Sequence, residues 1–325
     1  MIKHLRHAIL AAGLLINAGA HAQSTPAIDY HQHVFSDDII TLLGPDAGLK
    51  PLPAKQVIAL LDAAGIRKAV LLSTAYMYGS PQRKLDDEYA KVRRENDWTA
   101  AQAAQYPERL IAFCGVNPLK EYAIEEIRRC AGTPGLKHGL KLHFGNSDVQ
   151  LDQPAHLARL AEVFAAADRA GMAILVHMRA SIRNKRPYGA AEAQAFLDKV
   201  LPAAPHVTVQ VAHLGGTGPG FEDPPSRAVL ATLAAAMERR QPATRKLWFD
   251  VASIAQDDTT PEAAALLVQG LRQIGLDRVL YGTDAAQGAN LRPKEAWAAF
   301  RKLPLSEAEF KQVAGNVAPY FASFD

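Results

Sequence analysis

The chain has 325 residues, 49% of them hydrophobic and 21% charged, and its 36 Lys and Arg against 33 Asp and Glu leave a formal charge of +3. That length supplies a large core, and the composition excludes a disordered chain, a collagen-like repeat and a disulfide scaffold. So small a net charge excludes the massed basic face of a nucleic-acid binder, and two cysteines exclude a four-cysteine zinc site or an iron–sulfur cluster within one chain.

Residues 1–22 read as a secretory signal. Lys3 and Arg6 give a positive start, Ala8 to Ala20 is an apolar run broken only by Asn17, and Ala20-His21-Ala22 is a small-x-small cleavage pattern. The run is shorter than the ~20 residues of a spanning helix, so no membrane span is expected after removal of the signal. Cleavage before Gln23 takes away two basic residues and no acid, leaving 34 against 33. The mature chain, 23–325, is then a nearly neutral single domain in a periplasmic or secreted setting. Cys114 and Cys130 are able to pair in such an oxidising compartment. Cys114 lies in an apolar strand-like run and Cys130 follows a helix-like segment, so two separately buried thiols are the expectation.

Eight short apolar runs rich in Val, Ile or Leu follow in order. They are Ala27–His33, Arg67–Ser73, Leu110–Val116, Gly139–Phe144, Met172–Met178, Val207–Leu214, Leu247–Ala252 and Arg278–Thr283. Continuous apolar character is the mark of strands covered on both faces. Between them lie segments with helical spacing: Ala54–Ala64, Asp87–Gln105, Ala123–Cys130, Gln153–Ala170, Ala190–Val200, Ser226–Arg240 and Pro261–Ile274. Gly65, Gly171 and Gly275 each stand between a helical run and the next strand, where glycine tolerates the left-handed conformation that ends a helix. The alternation predicts an α/β fold, a single (β/α)8 TIM barrel with its active site at the C-terminal strand ends. An open doubly wound sheet would carry a Gly-rich phosphate loop after the first strand, and Val34-Phe35-Ser36 stands there instead.

The strand ends collect polar residues. The first strand ends Asp29-Tyr30-His31-Gln32-His33, the fourth Lys141-Leu142-His143, the fifth Val176-His177, the sixth Ala212-His213 and the eighth Gly282-Thr283-Asp284. One histidine at a strand end is more often a hydrogen-bonded structural group than a ligand. The joint placement is what points to a site. His31 and His33, two apart in a strand, share a face. With His177 and Asp284 they make a set of three nitrogens and one oxygen, suited to zinc first and also to iron, manganese or nickel. Asp29, two before His31, is expected to fix an imidazole from one layer deeper, and Asp250 is a weaker candidate.

These motifs resemble the amidohydrolase superfamily, more specifically its amidohydrolase-related branch of decarboxylases, lactonases, hydratases and hydrolases. The resemblance rests on Ile28–His33, Gly139–His143, Val176-His177, Ala212–Gly216 and Tyr281–Asp284, and Ala314–Phe321 resembles the branch's closing helix. It implies one divalent metal, zinc foremost, held by His31, His33, His177 and Asp284. It implies a catalytic pair, Asp284 and His213. A second metal bridged by a carboxylated Lys141 is the binuclear alternative.

The mouth loops speak to the substrate. Lys141, His143, Arg179 and Arg183 are the candidate substrate-binding residues, because Arg reads carboxylates with paired hydrogen bonds. Tyr76, Met77 and Tyr78 are candidates for an aromatic wall, and Gly215–Pro225 for a lid. The expectation is a metal-dependent hydrolase using metal-activated water on an ester, lactone or amide of a small carboxylated molecule. A non-oxidative decarboxylase of an unsaturated or aromatic acid is the first alternative, and a catalytically inactive exported binding barrel the second. No nucleic acid is expected as partner, and a homo-oligomer stays open.

Overall fold

A computed structural model of the chain describes residues 24–219 and 223–321. The secretory-signal reading, and Gly220, Phe221 and Glu222 of the expected lid, lie outside the described residues. Eight strands follow one another: β1 (Ile28–His33), β2 (Lys68–Leu72), β3 (Leu110–Gly115), β4 (Gly139–His143), β5 (Ala173–His177), β6 (Val209–Val211), β7 (Leu247–Asp250) and β8 (Val279–Leu280). They pair in parallel in sequence order. The ring closes where Tyr30 N–H donates to Tyr281 O at 2.9 Å and Asp284 N–H donates to His31 O at 2.7 Å. The expected (β/α)8 barrel is therefore present.

The connecting helices are Ala54–Ala64, Glu88–Ala104, Ala123–Ala131, Pro154–Arg169, Ala190–Lys199, Pro224–Glu238, Pro261–Ile274 and Pro293–Phe300, within two residues of the predicted limits for the seven that were predicted. Gly65, Gly171 and Gly275 have φ of 73°, 68° and 84°, the left-handed turn that returns the chain from helix to strand. β6 and β8 are shorter than expected. β6 stops at Val211 because the backbone then enters a tight turn in which His213 and Leu214 themselves take left-handed φ of 54° and 53°.

Two apolar layers hold the barrel. The outer one packs strands against helices. The inner one fills the barrel with Tyr30, Val70, Leu72, Ile111, Phe113, Leu175 and Leu280, and is plugged by Ala318 and Phe321 of the C-terminal tail. That tail departs from the expected closing helix. The helix Glu307–Gly315 ends at Asn316, whose backbone is extended, and residues 316–321 turn under the barrel. Asn316 holds the turn by donating to Leu276 O and Val279 O at 2.7 and 2.6 Å.

The two cysteines also depart from expectation: Cys114 and Cys130 form a disulfide. Phe113 points into the barrel, so its neighbour Cys114 points outward into the helix layer. Cys130 lies on the buried face of its helix with Ala123 and Ile127. Strand alternation and helix periodicity thus deliver both sulfurs to one layer. Among the described residues, no helix is long and apolar enough to cross a membrane.

Candidate metal centre

The register of β1 against β2 shifts between Asp29 and Gln32. Strict alternation would send Tyr30 and His31 to opposite faces. The irregularity lets Tyr30 fill the barrel while His31 and His33 both reach the mouth. It also turns Asp29 away from the imidazoles. The Asp29 carboxyl accepts from the backbone N–H of His31 and of Thr283, both at 3.1 Å, and from the Thr283 hydroxyl. It ties β1 to the end of β8, and burial pushes it up to about 7. The expected imidazole-fixing role falls instead to Asp250, whose Oδ2 lies 3.0 Å from His31 Nδ1.

Each mouth histidine of β1 has its Nδ1 engaged. Asp250 takes that of His31, and Leu72 O, at 2.8 Å, takes that of His33. An N–H at Nδ1 leaves a lone pair at Nε2. Both Nε2 atoms face Asp284 Oδ1, at 3.7 Å from His31 and 3.6 Å from His33. The three donor atoms lie within 4.8 Å of one another. Ligand bonds of about 2.1 Å place neighbouring donors roughly 3 to 4 Å apart, so this set fits a divalent ion. Burial, with the Lys141 charge next, pushes the His31 and His33 imidazoles down. Burial works against the Asp284 carboxylate, but His31, His213, His33 and Lys141 outweigh it and hold the group below the usual carboxylate range.

His177 and His213 complete the mouth. His177 has its ring 5.1 Å from that of His213 and 3.9 Å from that of His143, and stands outside the three-donor group. His213, in the strained turn after β6, has Nδ1 2.6 Å from Ala252 O and its ring 4.8 Å from His31. Its backbone N–H donates to Asp250 Oδ1 at 2.9 Å. A second cluster of His31, His213 and Asp250 is also close enough for a metal. Both oxygens of Asp250 are already used by hydrogen bonds.

Lys141 is 1% exposed and carries its Nζ 3.2 Å from His31 Nε2. Burial pushes its ammonium down to about 8, against the pull of Asp284 and Asp250. His143 Nδ1 accepts from Asn146 N–H at 3.1 Å, and Tyr76 lies against its ring at 5.2 Å. Tyr76 thus borders the site as expected, while Tyr78 packs into the outer core.

The basic loop after β5 divides. Arg179 is buried against Asp223 at 3.2 Å and over the Tyr188 ring at 4.7 Å, so its charge is already answered. Arg186 grips Asp148. Arg183 is exposed and has no ion pair among the described residues. Arg83, from the loop after β2, donates to Met77 O at 3.2 Å, and burial and the charge of Arg183 push its guanidinium down. The sequence reading missed Gln210, whose Nε2 donates to Asp250 Oδ2 at 2.7 Å. Its signal was present: Gln210 is a polar side chain at the centre of the apolar run Val209-Gln210-Val211.

A barrel of this order carries its active site at the C-terminal strand ends, and here that end brings together the His-x-His of β1 and the Asp beyond β8. The profile of the amidohydrolase family (Amidohydro_2) matches residues 28–318, and the chain belongs to that family. No curated protein matches it. Among solved structures it resembles 5-carboxyvanillate decarboxylase from Sphingomonas paucimobilis, at 18% identity and TM-score 0.60, covering 90% of this chain and 97% of that one. The 5-carboxyvanillate decarboxylase of Novosphingobium aromaticivorans, complexed with manganese, matches at 18% and 0.60, covering 92% and 96%. A probable 2-pyrone-4,6-dicarboxylic acid hydrolase from Acinetobacter baumannii matches at 17% and 0.57, covering 89% and 96%. Family and donor set together make the barrel mouth a divalent-metal centre.

Proposed function

We propose that the protein is a metal-dependent hydrolase of an ester, lactone or amide bond in a small carboxylated molecule. One observation carries this reading. The Asp284 carboxylate, and the Nε2 that His213 leaves unprotonated when its Nδ1–H donates to Ala252 O, supply two proton acceptors around His31 and His33. Hydrolysis needs one group to take a proton from water and one to return it to the leaving group. A divalent ion would be held by His31, His33 and Asp284, with His177 beside them as the fourth ligand that the family resemblance implies, and would supply Lewis acidity and make water more acidic. Asp284 receives the water proton at a carboxylate oxygen. With Nδ1–H donating to Ala252 O, His213 enters as an acceptor at Nε2 and becomes a donor only after taking up that proton.

Zinc is the proposed ion, supported by the nitrogen-rich donors, and manganese is the alternative. A single ion is supported by Asp250, whose two oxygens are both taken by hydrogen bonds, which leaves His31, His33 and Asp284 as the free donor set. Arg183 and Arg83, lacking carboxylate partners among the described residues, support a carboxylated substrate. The Cys114–Cys130 disulfide supports export to an oxidising compartment, with residues 1–22 as the signal.

Non-oxidative decarboxylation is the second reading, favoured by Lys141. A buried ammonium next to His31 would hold a substrate carboxylate at the metal. The deciding experiment loads purified protein with zinc or manganese and offers lactones, esters, amides and unsaturated or aromatic acids. Turnover of a lactone, ester or amide without carbon dioxide supports the hydrolase. Stoichiometric carbon dioxide from an acid replaces it with the decarboxylase.

A further inference from the structure

A line of hydrogen bonds runs from the C-terminal tail up the inside of the barrel to His31. Tyr320 sits under the barrel, its ring edge-on to Tyr30 at 6.1 Å and to Phe113 at 5.2 Å. Its hydroxyl donates to Gln210 Oε1 at 2.7 Å. Gln210 Nε2 donates to Asp250 Oδ2 at 2.7 Å, and Asp250 Oδ2 lies 3.0 Å from His31 Nδ1. The other oxygen, Oδ1, accepts from the backbone N–H of His213 and of Ala252 at 2.9 and 3.1 Å.

The direction of every bond follows from donor chemistry. An ionised carboxylate only accepts, so Gln210 must present its amide nitrogen to Asp250. A flipped amide would set two acceptors face to face. The amide oxygen then points down and needs a donor, and the Tyr320 hydroxyl is there. With Gln210 fixed, Asp250 Oδ2 stays in place to accept the hydrogen bond of His31 Nδ1–H, and the Nε2 lone pair is left toward Lys141 Nζ at 3.2 Å and Asp284 Oδ1 at 3.7 Å. Remove the hydroxyl, and the buried amide oxygen has lost its partner, which favours other amide rotamers and loosens the carboxylate above.

We propose that Gln210 and Tyr320 are positioning residues for the metal centre, acting through Asp250 to hold His31 in the tautomer that binds metal. The proposal rests on the reading of His31 as a metal ligand. It makes the tail 316–321 part of the functional apparatus as well as the plug of the inner core.

The test uses the full chain as wild type, Tyr320→Phe and Gln210→Leu. Manganese(II) is titrated in competition with a chromophoric chelator. The His31 ring nitrogens of metal-free protein are read by 15N NMR. Wild-type His31 is expected to be protonated at Nδ1. Gln210→Leu is expected to weaken manganese binding about 10- to 100-fold and Tyr320→Phe about three- to tenfold, each with His31 shifting to mixed tautomers. The melting temperature of Tyr320→Phe should stay within about 2 °C of wild type. Unchanged affinity and unchanged His31 signals in Tyr320→Phe overturn the proposal and leave the tail purely structural. So does a wild-type His31 protonated at Nε2, a result that needs no variant. If Gln210→Leu does not fold, Tyr320→Phe, which deletes one oxygen, decides alone. A wild type that binds neither manganese nor zinc, yet shows His31 protonated at Nδ1 and mixed in Tyr320→Phe, overturns the metal reading while supporting the hydrogen-bonded line.

Discussion

Asp250 and His31 come from opposite ends of the barrel sequence, 219 residues apart, and meet at 3.0 Å in a fully buried contact. The carboxylate spans β7 and β1, and through the His213 N–H it also reaches the turn after β6. In Asp250→Asn the amide keeps an oxygen for the two backbone N–H groups and turns its nitrogen toward His31 Nδ1. Two donors then face each other, and His31 is driven to the wrong tautomer. Metal affinity is expected to fall about 10- to 100-fold. Isothermal titration with zinc measures it, and wild-type affinity in Asp250→Asn would contradict this arrangement.

Asp284 acts both as metal donor and proton acceptor in the proposed reaction. Asp284→Asn keeps the shape and removes the basic oxygen. Turnover on any substrate found for the wild type should drop about 10²- to 10⁴-fold. Steady-state kinetics after loading with excess metal isolates the proton-transfer loss, and near-normal kcat would show that another group takes the proton.

Metal removal has a separate thermodynamic signature. An ion that binds only the folded chain stabilises it by about 2.7 kcal/mol at a hundredfold excess over Kd. Dialysis against a chelator should abolish activity and lower the Tm, and one equivalent of divalent ion per chain should restore both. Elemental analysis that finds two ions per chain would bring back the Lys141-bridged pair.

The Cys114–Cys130 disulfide closes a short loop, with a sequence separation of 16. In the loop-entropy model a 15-residue loop is worth about 3 kcal/mol. Reduction, or the double change Cys114→Ser with Cys130→Ser, should lower unfolding free energy by about that amount in chemical denaturation. An unchanged midpoint in reducing buffer would show that the link carries no stability.

Glu95 gives a pH dependence outside the metal centre. It is buried, accepts from the Ser36 and Thr74 hydroxyls, and is pushed up to about 7, chiefly by burial. A raised pKa means that the folded chain holds the proton more tightly than the unfolded chain. The contribution is fully present below the ordinary value of 4.5 and is lost as pH rises through about 7. The loss is about 3 kcal/mol at most. Glu95→Gln should flatten that slope between those values, measured by urea unfolding across pH. A slope that persists in the variant assigns it to other groups.

Much of this architecture was legible in the chain because its signals are local. Apolar runs covered on both faces gave the strands, glycine gave the returns, and the strand-end residues pointed to the His31, His33 and Asp284 cluster at the barrel mouth. What stayed hidden depends on relations between distant segments. The irregular register of β1 decides which way Asp29 points, and nothing in Ile28–His33 alone reveals it. The disulfide requires knowing that the outward face of β3 and the inward face of the following helix share a layer. Gln210 was visible as a polar intruder in an apolar strand, but its partners Asp250 and Tyr320 lie 40 and 110 residues away. The loop arginines showed their charge but not their company, and Arg179 and Arg186 are already matched with Asp223 and Asp148.

His213 and Asp284 share one more property: their φ angles, 54° and 64°, are ones that glycine adopts freely and other residues reluctantly. The two side chains assigned to proton movement therefore sit on backbone that resists them. Drift toward glycine at either position would relax the polypeptide and silence the chemistry in one step. Glycine at His213 would ease the backbone but empty a buried position and give up the hydrogen bond to Ala252 O, so the fold itself sets a cost on both choices.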